Sequence, residues 1–586
     1  MNKRIVLVAR YNAIEPLGLL YLAGLIRDED WECQIVLVHG DDFQPVYDIV
    51  QSWKPDVVGF QVWTGYHKAA FAACDTVKKM GVPVVIGGPH ATYFYDACAG
   101  HATWVVRGGG FGLLRKLLHG ELPPGSHFDV RGREEVFPLP DRSLLYRFSP
   151  EHGQSPIKSI FGSVGCPMFC TYCYAPSFND MHGGFKLVVR DPRHIVEEAK
   201  AILKHWPLSM VYFQDDIFGF NKEWLAKLSA LWREEVGVPF HCQIRLELTR
   251  GDEGSRRLDL FRDAGCTGIT VAIESGDAFI RDHVLFRHMP EELIIEGCRK
   301  ILDRGMTLRT EQILAVPFSN AESDLSTLRL NAVIRPTMAW TSILAPYAGT
   351  DMGTIVHRLG MYGGNNDDLA ESFFDSSVLR HVAGGTRDIG EIVARLQSGP
   401  RERVLLGLRA GDTINGRTEI LHDREGLVGH VSFLSPEENR QYARGVSRVQ
   451  ALFDWLTRVP EGDQIGLALH TCSDHDLSWA WVGDLAHKRY AARHGPHIRD
   501  RVLQGIARDM YSEVTELPSF VAENPYLFGA FQSPGKLVRA VQDAGVFASG
   551  RPLGEMLPVI GTLVRRHNFM TGLYRLDPEI TPPVIV

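Results

Sequence analysis

"CPMFCTYC" (Cys166–Cys173) gathers three of the chain's ten cysteines into one short segment. It directly follows "IKSIFGSV" (157–164), an apolar run that reads as a strand. Structural zinc usually takes two ligand pairs, and no second C-x-x-C or H-x-H follows Cys173 within the usual reach. Three is an odd number for disulfides, and ten cysteines in 586 residues are too sparse for a disulfide scaffold. Three thiolates without a fourth ligand suit an iron–sulfur cluster with one open iron. The other seven cysteines (33, 74, 98, 242, 266, 298 and 472) lie scattered, most of them in apolar or helical surroundings where a buried free thiol is the reading.

Working outward, the strand before the cysteines begins a series. "MVYFQDD" (210–216), "FHCQIRLE" (240–247), "TGITVAIES" (267–275), "LRTEQILAV" (308–316) and "WTSILAP" (340–346) are strand-like, with a helix fitting between each pair. In "DPRHIVEEAKAILKHW", Asp191 is the N-cap and Pro192 the first helical residue. Ile195, Ala199, Ile202 and Leu203 mark its buried stripe. Six strands, each reached by a helix, predict an open or partial (βα)6 barrel over residues 156–365. Its working edge lies at the carboxyl ends of the strands.

Residues 1–125 show a second alternation. The strand-like runs are "RIVLVA", "CQIVLVHG", "DVVGFQVW", "VPVVIGG" and "ATWVVRGG", with helices between the first four. This predicts a doubly wound parallel sheet, an α/β fold whose ligand sits beyond the strand ends. Those ends carry Tyr11–Gly18, Val62–Tyr66, Gly87–Thr92 and Gly108–Gly110. Residues 126–155 are rich in Pro, Gly and charge and read as a linker. Residues 366–586 read as a mostly helical C-terminal domain that shapes a substrate pocket. Within it "HTCSDHD" (His470–Asp476) is open to three readings, a pocket segment, a stray metal site or a loop, of which the loop is favoured.

The bulk numbers exclude several classes. Net charge is −8 with no long basic run, so a phosphate-tracking surface for nucleic acid is not expected. No apolar run approaches the ~18–20 residues that span a bilayer. "MNKRIVLVARYNAIEP" lacks the apolar core of a signal peptide and reads as a first strand. A cytoplasmic enzyme is the expectation.

C-x-x-x-C-x-aromatic-C after the first strand of a partial barrel resembles the radical S-adenosylmethionine (SAM) superfamily. The match is Cys166, Cys170, Tyr172 and Cys173. The resemblance implies a 4Fe–4S cluster on the three cysteines, with SAM on the open iron. It assigns SAM contacts to Tyr172, to Gln214 and Asp215 in "FQDD", and to Arg245 in "QIRLE". Glu274 in "IESG" and Val316 and Pro317 in "ILAVPF" complete that set. Arg245 meets the SAM carboxylate or pairs with Glu247, and Asp216 is an alternative cap for the next helix. Ala315 stands where relatives have glycine.

"EPLGLLYLAGL" (15–25), "PDVVGFQVWTG" (55–65) and "VVIGGPHAT" (84–92) resemble the cobalamin-binding domain of one large radical SAM class, class B. The implied contacts are Tyr11, Leu17, Gly18, Trp63, Thr64, Gly87, Gly88, His90, Gly108 and Gly109. The D-x-H-x-x-G motif is absent, so no protein histidine is expected on cobalt, and Trp63 becomes a candidate for the lower corrin face. Gly108–Gly110 lacks the acids that relatives carry there.

Together these resemblances imply a methyltransferase acting on an unactivated carbon of a small-molecule, natural-product-type substrate, with an external electron donor such as a flavodoxin or ferredoxin. The alternative is ring rearrangement or oxidative cyclisation without methyl transfer. A tRNA methylthiotransferase would need a second cluster. Cys33, Cys74 and Cys98 bring that to mind, but Cys74 lies in a helical run and the acidic balance argues against RNA. A cobalamin carrier would leave the three clustered cysteines without a task.

Overall fold

The computed structural model describes residues 3–129 except 13 and 30, residues 137–369 except 186, 320, 335 and 359, and short stretches between 377 and 446. The N-terminal sheet contains β1 (Arg4–Arg10), β2 (Glu32–Val38), β3 (Val57–Gln61), β4 (Val84–Gly87), β5 (Trp104–Gly108) and β6 (Gly125–Asp129). All pairings are parallel, in the order β2-β1-β3-β4-β5-β6. Alternating side chains feed opposite faces. Val6, Val8, Val58 and Phe60 pack with Val46, Val50, Ala70 and Val77 of two helices. Ile5, Leu7 and Ala9 pack with Leu20, Leu113, Leu114 and Leu117 of two others. The order reverses between β1 and β3, so the ligand crevice of such a sheet opens beyond those two strand ends.

Strand β6 was not expected. It lies at the start of the stretch read as a linker, which also holds helices Arg142–Phe148 and Pro150–Gln154.

The second sheet curls through β7 (Ile157–Ile160), β10 (Met210–Phe213), β11 (Phe240–Ile244), β12 (Cys266–Glu274), β13 (Thr307–Leu314) and β14 (Met338–Ile343), all parallel and in sequence order. Between β7 and β10, the two-residue strands β8 (Ser163–Val164) and β9 (Val188–Val189) pair antiparallel. These are the six expected barrel strands. Helix Pro192–His205 begins as read, with the Asp191 side chain accepting from Arg193 N. Its buried face differs from the expectation. Leu203 is 41% exposed, and Val196 and the charged Glu198 are buried instead. Glu198 turns inward because two arginines meet it there.

Those arginines join the two sheets. Arg142 donates through Nη1 to Glu15 Oε2 (2.8 Å) and through Nη2 to Glu198 Oε1 (2.7 Å). Arg190 Nη2 lies 2.8 Å from Glu198 Oε2, and Tyr21 donates to the same oxygen (3.0 Å). Ser159 N on β7 donates to Glu15 Oε2 (2.9 Å). Burial alone pushes both carboxyls up; Arg142, Lys158 and the Tyr146 hydroxyl more than reverse it at Glu15, and Arg190 and Arg142 do so at Glu198, leaving both below the usual range. Buried ion pairs hold geometry strictly, because removing one partner strands the other charge.

The mostly helical C-terminal expectation falls largely outside the described residues, as does His470–Asp476. What is described there includes an antiparallel sheet of Thr413–Ile414, Thr418–Asp423 and Gly426–Ser432. Among the described residues no helix is long and apolar enough to cross a membrane.

Candidate functional site

The cysteine segment bridges β8 and helix Ala175–Met181 and is held from several strand ends. Gly165, at φ 116°, donates its N–H to Asp216 Oδ2 (2.9 Å) beyond β10. Thr171 bonds to Leu285 O and Val284 O beyond β12 (3.2 and 2.6 Å), and its own carbonyl accepts from Met352 N (2.8 Å) beyond β14. Asn179 Nδ2 reaches back to Cys166 O (2.9 Å). Asp216 is thus tied to the cysteine segment, while Asn221 caps the helix that follows.

All three cysteines are free thiols. Burial raises the Cys166 thiol to about 11 and the Cys173 thiol to about 12. Cys173 Sγ accepts from Ala175 N (3.4 Å), and Cys170 Sγ accepts from Arg245 Nη1 (3.5 Å) and Arg287 Nη1 (3.6 Å). Among the described residues no three His, Cys, Asp or Glu side chains converge tightly enough for a single metal ion. Thiols on separate turns of one braced segment, facing N–H and guanidinium donors, fit an anionic multinuclear cluster that takes one thiolate per iron.

Along the barrel edge, the polar residues already have partners. Asp215 is fully buried and accepts from Gly162 N (2.8 Å) and Ser163 Oγ (2.6 Å). Burial lifts its carboxyl to about 7. Gln214 donates to Ser159 Oγ (3.2 Å). Arg245 pairs with Glu247 (Nε to Oε2, 3.0 Å) as well as reaching Cys170. Tyr172 donates to Glu274 Oε1, and Arg287 Nη1 stands 3.4 Å from the Tyr172 hydroxyl and 3.8 Å from that carboxylate oxygen. Val316 and Pro317 are buried at the end of β13, with Tyr172 packed against the same apolar cluster as Val316. Ala315 adopts φ 54°, the left-handed conformation that glycine takes without strain. Arg287 was missed in the sequence, since a lone arginine beyond "IESG" carries no spacing signal.

The sheet edge is built differently. Gly88, at φ 96°, sits against Val62, where a Cβ would meet Val62 N and O at 3.0 Å. Gly108, at φ 83°, would place a Cβ 2.7 Å from Asp129 O. Gly87 and Gly109 are half-buried beside them, Leu17 is half-buried at the start of its helix, and Gly18 is exposed. Tyr11 stacks on His39 (centroids 4.1 Å apart). His90 is buried with Nδ1 3.0 Å from Thr64 Oγ1, stacks on His67 (4.3 Å), and leaves Nε2 without a hydrogen-bond partner. Trp63 Nε1 is likewise buried without one. The buried, unsatisfied polar atoms of His90 and Trp63 fit a ligand with peripheral amides, as cobalamin is. Cys74 and Cys98 are buried on one face of the sheet, and Cys33 packs on the other. They do not form a second cluster site.

The two edges meet. Tyr93, just past "GGPHAT", stacks on Tyr174, next to Cys173, with centroids 3.9 Å apart and planes at 16°. Tyr347, beyond β14, lies 5.7 Å from Tyr174.

The model of the B12 binding domain matches residues 3–118, and that of the Radical SAM superfamily matches residues 160–330. With both domains in one chain and their working edges in contact, this is a cobalamin-dependent radical SAM enzyme. The bacteriochlorophyllide d C-8(2)-methyltransferase of Chlorobaculum tepidum is 26% identical over 321 residues, covering 51% of this chain and 67% of that protein. The structure of OxsB, a cobalamin-dependent S-adenosylmethionine radical enzyme with aqua-cobalamin and SAM bound, aligns at 13% identity with TM-score 0.53, over 98% of this chain and 85% of its own. The radical SAM methyltransferase TsrM of Kitasatospora setae, with cobalamin and a [4Fe-4S] cluster, aligns at 16% identity with TM-score 0.49, over 62% of this chain and 79% of that one.

Proposed function

We propose that this enzyme moves a methyl group from SAM, by way of cobalamin, onto an unactivated carbon of a small molecule. The Tyr93–Tyr174 stack carries the reading, because it joins the cobalamin motif to the cluster segment. When bound, the cluster supplies the electron that cleaves SAM, and cobalamin carries the methyl group.

The protein's part is to bind, orient and keep dry. Cys166, Cys170 and Cys173 hold the cluster. Tyr172, Glu274 and Arg287 present a hydroxyl, a carboxylate and a guanidinium to the polar end of SAM, while Val316 and Pro317 offer an apolar wall to its adenine. Gln214 stands at the same edge, and Asp215 braces Gly162 and Ser163 beneath it. Gly87, Gly88, Gly108, Gly109, His90, Thr64 and Trp63 would line the cobalamin site. Tyr11, Leu17 and Gly18 border the crevice beyond β1. The hydroxyls of Tyr93 and Tyr174 donate to the Tyr174 and Ala348 carbonyls (3.4 and 3.1 Å), turning polar O–H groups away from the reaction space.

A planar conjugated substrate heads the candidates, by analogy with the bacteriochlorophyllide relative. The electron donor is a flavodoxin- or ferredoxin-type protein, and a reducing cytoplasm suits the free cysteines. Anaerobic incubation with SAM, a low-potential reductant and candidate substrates tests the proposal. S-adenosylhomocysteine together with a product heavier by one methyl group supports it. 5′-Deoxyadenosine and an altered, unmethylated product would instead establish a rearrangement or cyclisation.

A further inference from the structure

Two arginines converge on one cysteine sulfur. Arg245 at the end of β11 and Arg287 in the segment after β12 both aim Nη1 at Cys170 Sγ, at 3.5 and 3.6 Å. Both are 6% exposed. The chain bends hard to deliver Arg287. Its neighbours Phe286 and His288 hold φ 59° and 47°, the left-handed region that disfavours residues with a Cβ. Arg287 Nη2 is fixed on Ala272 O and its backbone N on Arg281 O (2.9 Å). Arg245 spends Nε and Nη2 on Glu247. Arg245 thus turns its remaining nitrogen to the sulfur, while Arg287 Nη1 is shared between the sulfur and the Tyr172 hydroxyl (3.4 Å). A neutral buried thiol has little need of two cations. A thiolate bound to iron does, since hydrogen bonds to cluster sulfurs are a main determinant of potential.

We propose that Arg245 and Arg287 raise the reduction potential of the cluster by donating N–H hydrogen bonds to the Cys170 thiolate. The proposal rests on the reading of Cys166, Cys170 and Cys173 as cluster ligands. Reduction adds one electron and one negative charge to the cluster. Fixed cations in a low-dielectric site stabilise the reduced form more than the oxidised one. Glu247 and Glu274 face the same arginines and moderate the effect without cancelling it, because neither carboxylate touches the sulfur in the described contacts. The result is a cluster that a low-potential one-electron protein donor can reduce.

The test is an anaerobic redox titration of the reconstituted full chain without SAM, with iron and sulfide quantified and the reduced cluster read by electron paramagnetic resonance. At the potential where the wild type is half reduced, Arg287→Gln lowers the reduced-to-oxidised ratio at least tenfold, equivalent to 59 mV for a one-electron couple. Arg287→Lys, which keeps the charge, lowers it less. A fully loaded Arg287→Gln that titrates like the wild type overturns the proposal, even if it has lost SAM affinity, and leaves the cluster reading standing. Should Arg287→Gln load no iron, Arg245→Gln decides by the same criterion. A wild-type chain that takes up no iron would instead overturn the cluster reading itself.

Discussion

The two cofactor edges are both carboxyl ends of parallel sheets, yet they are furnished in opposite ways. On the barrel edge, charges are already spent on one another and on the cysteine segment: Arg245 on Glu247, Asp215 on Gly162 and Ser163, Asp216 on Gly165, Glu274 on Tyr172. On the sheet edge the charged groups lie over rings or in a local pair: Arg10 over Tyr66, Arg107 over Tyr95, His67 against Asp367. Gly88 and Gly108, at positive φ, let the backbone close on Val62 and Asp129, and His90 Nε2 and Trp63 Nε1 are buried without hydrogen-bond partners. The difference follows from the ligands. A cluster and a zwitterion need fixed charges, which are stable when buried only if paired. A corrin needs room, flatness and neutral hydrogen bonds.

The comparison can be broken first at its charged side. Cys170→Ala should abolish iron loading and 5′-deoxyadenosine formation while cobalamin uptake survives. Loss of both cofactors together would mean that the edges are not separately built. Next in size is the clasp between the sheets. Glu198→Ala leaves Arg142 and Arg190 partly uncompensated and should cost about 3–5 kcal/mol, read from chemical denaturation. A loss under about 1 kcal/mol would show that the clasp is slack. On the sheet edge, Gly88→Ala strains the backbone against Val62 by about 1–3 kcal/mol and should weaken cobalamin binding roughly tenfold, with iron content unchanged.

A pH experiment sharpens the neutral side. Burial, with His67 adding to it, pushes His90 down to about 3. Between pH 6.5 and 3 the unfolded chain therefore binds a proton that the folded chain does not, and stability falls as pH falls through that window. His90→Gln should flatten that slope in the cobalamin-free protein, and equal slopes would show His90 to be solvated. The smallest effect belongs to Ala315, held at φ 54°. Ala315→Gly relieves that conformation but adds unfolded-state freedom, so stability should change by under about 1 kcal/mol in thermal denaturation with no loss of SAM binding.

Much of this was legible in the sequence where periodicity or spacing is strong. All six barrel strands and the first five sheet strands announce themselves as apolar runs, and the cysteines by their spacing. The misses share a cause. Strand β6, "GSHFD", is a largely polar edge strand with no alternation to read. Leu203 satisfies the helical spacing but loses its buried place to Glu198, whose arginine partner Arg142 is 56 residues away. Glu15 and Arg142 are 127 residues apart. Arg287 has no motif, and only the fold brings it to Cys170. Pairing between distant residues leaves no local trace in the chain, which is why the charged edge was the harder one to foresee.

The central claim is that one chain holds a cluster and a corrin at facing edges. Anaerobic purification and reconstitution, with iron, sulfide and cobalamin quantified per chain, tests it most directly. The account predicts about four iron, about four sulfide and about one cobalamin. Iron well below that, or a chain that takes up no cobalamin, would contradict it.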